Sequence, residues 1–170
     1  DMGVEVKQLN NDTYSFKAAN IDLDFIHSEE FMEKSAALRG SIMIIGPLLA
    51  RFGNVVVPKP GGDKIGRRRL DTHFNGIMKL GAKLVYSEEK QTFTLCADKL
   101  KGQFILMDEA SVTGTANLLM TAVMAEGETI IYNAACEPYV EQLSRMLVRM
   151  GAKIEGIGSN RLIVKGVSKL

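Results

Sequence analysis

Residues 78–100, MKLGAKLVYSEEKQTFTLCADKL, and residues 148–170, VRMGAKIEGIGSNRLIVKGVSKL, are two versions of one segment. Gly81-Ala82-Lys83 and Gly151-Ala152-Lys153 recur 70 residues apart, each followed by two strand-like runs. A weaker third tail opens the chain at Met2-Gly3-Val4. Self-similarity at a long fixed period signals a fold assembled from copies of one supersecondary unit.

Each copy parses alike. A first helix carries Ile42, Ile45, Leu49 and Phe52 in one copy and Leu119, Ala122 and Val123 in the other, at helical spacing. Gly53 and Gly127 follow as helix-closing caps, then short β-branched strands at 55–57 and 129–131. A second helix carries Phe74, Ile77 and Met78, or Val140, Leu143, Leu147 and Met150. Strands 83–86 and 92–96, or 153–157 and 161–165, complete the unit, and 103–107 leads into the last copy. The order β-α-β-α-β-β, repeated, predicts an α/β (α+β) architecture in which small sheets share packed helices. The units fall near 1–27, 28–100 and 101–170 of a single truncated domain. The chain opens on a repeat tail without an initiating Met, so a fragment lacking its N-terminus is expected.

The copies part company at one place. From Gly53 to Gly81 is 28 residues, whereas from Gly127 to Gly151 is 24. The four extra residues fall in 58–68, a stretch with Gly61, Gly62, Asp63, Lys64, Arg67 and Arg68. A loop added to one copy of a repeated scaffold, with turn formers and concentrated charge, is where function is grafted.

Composition narrows the function classes. Net charge is +1, so no global field argues for nucleic acid or an anionic membrane. The longest apolar run, 42–50, contains Gly46 and Pro47 and is too short to span a membrane. Cys96, in a strand-like run, reads as core, and Cys136 as loop. Two cysteines suggest neither a disulfide framework nor a metal site, and a reducing cytoplasm fits. His73 and His27 have no partners at ligand spacing.

Several residues can carry chemistry, each beside a plainer reading. Arg67, Arg68 and Arg69 directly precede a helix that Asp71 can cap, and an arginine fork there suits phosphate. The plainer reading is a solvated basic loop. Asp63 can transfer a proton or simply make a turn. Arg39, just before the first helix of its copy, stands in register with Thr113 and is either a contact or a surface arginine. Ser111, Val112 and Thr113 open the equivalent helix and can hold a ligand oxygen or merely cap.

PGGDKIGRRRLDTH (60–73) resembles the active-site loop of the UDP-N-acetylglucosamine 1-carboxyvinyltransferases, the enolpyruvyl transferases of peptidoglycan synthesis. The similarity runs on through ALRGSIMIIGPLLARFG (37–53), MDEASVTGTAN (107–117), AEGETIIYNAACEP (125–138) and the closing RLIVKGVSKL. It implies two domains, each of three βαβαββ units arranged as an inside-out α/β barrel, with the second domain outside this chain. It further implies transfer of enolpyruvyl from phosphoenolpyruvate to the 3-hydroxyl of UDP-N-acetylglucosamine, without a cofactor, in the bacterial cytoplasm. By the resemblance Asp63 is the proton donor, at a position that is cysteine in many members and aspartate in some that resist fosfomycin. Arg68 meets substrate phosphate. Arg39 contacts substrate, and Arg69, Leu70, Asp71 and Thr72 line the UDP-sugar. Glu109, Ala110, Ser111 and Val112 fall at the uridine-nucleotide site. Glu109 stands where lysine is common and Arg69 where proline is common. Two other readings compete: the shikimate-pathway enzyme on the same scaffold, and a non-catalytic module binding anions or nucleic acid through Arg67–Arg69. Apolar helix faces left bare by a truncated repeat predict either a dimer of the fragment or marginal stability.

Overall fold

The structure, a computed structural model, describes residues 2–61 and 69–170. Asp63 and Arg68, with Lys64 and Arg67, lie outside the described residues. Strands β1 (Glu5–Asn10) and β2 (Thr13–Lys17) form an antiparallel hairpin with every strand residue exposed. Helix α1 (Glu29–Ala37), a 3-10 stretch at Arg39–Ile44 and α2 (Ile45–Phe52) lead to β3 (Asn54–Pro58). Then come α3 (Asp71–Lys79), β4 (Lys83–Ser87) and β5 (Thr92–Cys96). The last unit runs β6 (Phe104–Leu106), α4 (Val112–Ala122), β7 (Glu128–Tyr132), α5 (Pro138–Arg149), β8 (Lys153–Glu155) and β9 (Arg161–Lys165).

The repeat holds down to strand register. In one sheet, ordered β3-β5-β4, Cys96 pairs with Asn54 on one side and Lys83 on the other. In the other, ordered β6-β7-β9-β8, Lys165 pairs with Glu128 and Lys153. Gly81 and Gly151 end the preceding helices with φ of 105° and 113°, a region a side chain resists, which is why the GAK tripeptide marks both copies. Among the described residues the starts of the units differ as well. The second unit opens on β6, parallel to β7, whereas the first has α1 ahead of α2.

Helix α4 is central, packing on α2, α3 and α5, and eight of its eleven residues are buried. Its buried faces hold Leu118, Leu119 and Ala122, fully enclosed, together with the buried polar side chains of Thr115, Asn117 and Thr121. Two glycines set the helix spacing. A Cβ on Gly46 of α2 would lie 2.5 Å from the Asn117 carbonyl oxygen, and one on Gly76 of α3 would lie 3.0 Å from Leu118.

Four local expectations are corrected. Cys96 is exposed, because strand alternation that turns Leu95 into the core turns its neighbour out. Gly53 caps α2 as read, but Gly127 lies beyond the end of α4 and leads directly into β7. The strand expected over 153–157 stops at Glu155, where the Ser159 hydroxyl bonds the carbonyls of Gly156 and Arg161 and tightens the turn. Asp71 is the first residue of α3 rather than its cap, and Leu70 precedes it without a capping side chain. Among the described residues no single helix is long and apolar enough to cross a membrane, and no cluster of His, Cys, Asp or Glu is placed to hold a metal ion.

Candidate functional site

A cleft of about 570 Å³ opens where the start of the 3-10 stretch, the start of α3 and the start of α4 converge. Arg39, Met43, Arg69, His73, Glu109, Ser111 and Thr113 line it. Arg39 and Thr113, which occupy equivalent positions in the two units, both line this cleft.

Arg69 is held on three sides. Its Nε donates to Asp71 Oδ2 at 2.8 Å, an Nη lies 3.9 Å from Asp108 Oδ2, and its carbonyl accepts from Arg39 Nη2 at 3.3 Å. The hydrogen bond and charge of Asp71 first, then the charges of Asp108 and Glu109, push the guanidinium further above its ordinary range. It therefore remains a cation at any accessible pH. Asp71, excluded from capping α3, acts instead as the clamp on Arg69. Leu70 is half-buried against the core and anchors the approach to the helix.

The α4 wall is built from backbone and hydroxyls. Ser111 caps the helix, its Oγ accepting from Gly114 N at 3.1 Å, so the plainer reading of that residue holds whatever else it does. A helix N-terminus presents unshared N–H groups and partial positive charge, which favours an anion in the cleft. Glu109 is the counterweight: it accepts from Thr72 Oγ1 at 3.4 Å and brings a negative charge to the rim. Thr72 is buried and faces a neighbouring hollow of about 400 Å³, shared with Asp108 and Met107. Ala110 is exposed and Val112 half-buried beside the cleft rather than in its lining.

Sequence reasoning missed His73. It is 3% exposed and sits between Thr113 Oγ1 and Asn117 Nδ2, each at 3.2 Å. Nothing in its local sequence signalled this, since its partners lie 40 and 44 residues away. Burial first, then the Arg39 charge, lower its pKa from 6.5 to about 4. In the unfolded chain the ring regains an ordinary pKa. Between pH 6.5 and about 4 the unfolded state therefore binds more protons, and stability falls as the pH drops through that window. The full loss is roughly 3 kcal/mol. Urea midpoints at pH 7, 5 and 4 check this: the wild-type chain weakens on acidification, and a His73→Gln variant lacks that part of the slope.

The whole chain, residues 1–170, matches the sequence model of EPSP synthase (3-phosphoshikimate 1-carboxyvinyltransferase). It is 60% identical over all 170 residues to the UDP-N-acetylglucosamine 1-carboxyvinyltransferase of Bacteroides fragilis, and 59% identical to that of Porphyromonas gingivalis. It spans 39% of the length of each of these relatives. Among solved structures it is similar to the enolpyruvyl transferase NikO from Streptomyces tendae, with a TM-score of 0.77 at 17% identity, covering 98% of this chain and 38% of that one. EPSP synthase from Acinetobacter baumannii follows with a TM-score of 0.69 at 21% identity, covering 100% of this chain and 38% of that one.

Proposed function

The chain belongs to the EPSP synthase family, and from there we propose that it is one wall of an active site that transfers enolpyruvyl from phosphoenolpyruvate to the 3-hydroxyl of UDP-N-acetylglucosamine. The supporting observation is 60% identity over its whole length to a UDP-N-acetylglucosamine 1-carboxyvinyltransferase, with a cleft whose cations fit the diphosphate. A second domain supplies the facing wall. The reaction would serve peptidoglycan synthesis in a bacterial cytoplasm, where both substrates are made.

In this reading the sugar 3-hydroxyl adds to C2 of phosphoenolpyruvate while a proton reaches C3, giving a tetrahedral intermediate. Loss of a C3 proton and cleavage of the C2–O bond to phosphate then leave the enolpyruvyl ether and free phosphate. Asp63 donates the proton and Arg68 meets the phosphate. Arg39 and Arg69, with Leu70, Asp71 and Thr72, hold the UDP-sugar side, and the stretch Glu109, Ala110, Ser111 and Val112 receives the nucleotide. Without its second domain the chain binds weakly and does not turn over.

A titration followed by backbone amide shifts tests this. UDP-N-acetylglucosamine is expected to shift Arg69, Leu70, Asp71, Thr72, Ser111 and Val112 at millimolar concentration, and shikimate 3-phosphate is not. Preference for shikimate 3-phosphate would move the assignment to the shikimate-pathway reaction. Phosphate release by the isolated 170 residues would overturn the division of labour between two domains.

A further inference from the structure

The hydrogen bonds behind the cleft run in one direction. The Gly46 N–H can only donate, so the atom it meets at 2.7 Å, Asn117 Oδ1, is the acceptor. That fixes the amide orientation of Asn117 and leaves Nδ2 as a donor. Nδ2 reaches the Ile42 carbonyl at 3.0 Å and His73 Nδ1 at 3.2 Å. Nδ1 must therefore present its lone pair, and the single proton of the neutral ring sits on Nε2. From Nε2 it is donated to Thr113 Oγ1 at 3.2 Å. The ring's depressed pKa keeps it in this neutral form above about pH 4.

Thr113 is the end of the line. Its oxygen accepts from His73, so its own proton cannot return there. It is the second residue of α4, with no earlier helical turn of carbonyls to take that proton. The side chain is exposed and lines the cleft with Arg39 and Arg69. The hydroxyl proton accordingly has the cleft to point into, and only an acceptor satisfies it.

We propose that Thr113 is a ligand-contacting residue whose hydroxyl donates to an oxygen of the UDP moiety, and that His73, fixed through Asn117 by the Gly46 amide, is the positioning residue that makes this hydroxyl a donor. The proposal rests on the nucleotide-sugar reading above and deepens it. Arg39 and Arg69 on the same walls favour an anionic diphosphate as the source of that oxygen. The relay links two units of the repeat, since Gly46 and His73 belong to the first and Asn117 and Thr113 to the second.

Two measurements on the chain test the proposal separately. A long-range proton–nitrogen correlation spectrum of the His73 ring in the free chain at pH 7 is expected to show Nε2 protonated and Nδ1 bare. A ring protonated on Nδ1 overturns the relay. Affinity for UDP is expected to fall about tenfold in Thr113→Val and to stay within about twofold of wild type in Thr113→Ser. UDP-N-acetylglucosamine is expected to show the same pattern. Equal affinity of Thr113→Val and wild type for UDP overturns the contact and leaves the function reading intact. A loss seen with the sugar nucleotide but not with UDP also overturns it, by placing the acceptor on the sugar. Failure of the wild-type chain to bind either ligand overturns the nucleotide-sugar reading and the contact together, while the ring spectrum still decides the relay.

Discussion

Gly46→Ala is expected to destabilise the chain by roughly 3 kcal/mol, lowering its thermal midpoint by about 6 to 12 °C. The added methyl would sit 2.5 Å from the Asn117 carbonyl oxygen, 2.6 Å from its Oδ1 and 3.1 Å from Thr121 Oγ1. Two of those atoms are fixed, one by the α4 backbone and the other by the bond it accepts from Gly46 itself. Relief requires α2 to back away from α4, which breaks that bond and loosens the most enclosed part of the core. Gly40→Ala is the control, since its methyl would meet only the Leu38 side chain, at 3.8 Å. Its effect should stay within about 0.5 kcal/mol. Thermal melts of the two variants side by side check the argument, and equal midpoints would refute it.

On the proposed enolpyruvyl-transfer reading, Asp63→Asn in the full-length protein is expected to slow phosphate release by roughly 10²- to 10⁴-fold, the range for loss of a positioned proton donor. Asparagine keeps the shape and removes the transferable proton. Asp63→Cys restores a proton donor and is expected to keep turnover while becoming open to alkylation by fosfomycin, whereas the aspartate form is expected to escape alkylation. Phosphate assays with mass spectrometry of the treated proteins read both effects. Full activity in Asp63→Asn would remove Asp63 from the mechanism.

The repeat made much of the fold legible, for a local reason. A glycine at positive φ followed by a short alternating strand is a signal carried by neighbouring residues, and Gly81-Ala82-Lys83 and Gly151-Ala152-Lys153 carry it twice. What escaped was set by tertiary context. Helix α1 has a charged, weakly patterned sequence, and it forms where Ser28 accepts from the Phe31 N–H and Phe31 reaches the core. Asp71 looks like a cap in sequence, but the Arg69 guanidinium claims it first. In the site, Arg39, Arg69 and Ser111 could be nominated one by one from charge and capping chemistry, and Glu109 through the family resemblance alone. That they share one cleft depends on the close approach of α2, α3 and α4. His73 was passed over because a histidine's meaning lies in its partners, and Asn117 and Thr113 are distant in sequence.

The hairpin β1–β2 has a consequence for cooperativity. Its stem is tied down by the Asp22 N–H to the Met2 carbonyl and by Arg51 to the Ala18 carbonyl, at 3.0 and 2.9 Å. Its blade shows both faces to solvent, Phe16 at 69% exposure and Leu9 at 63%. Two strands with no covered face are marginal by themselves. The hairpin can therefore open and reclose as a unit of its own while the helices behind the cleft stay shut, so the chain has two tiers of local stability. Protection of backbone amides from exchange follows those tiers, with residues 5–17 nearest the freely exchanging limit and α4 nearest the global one.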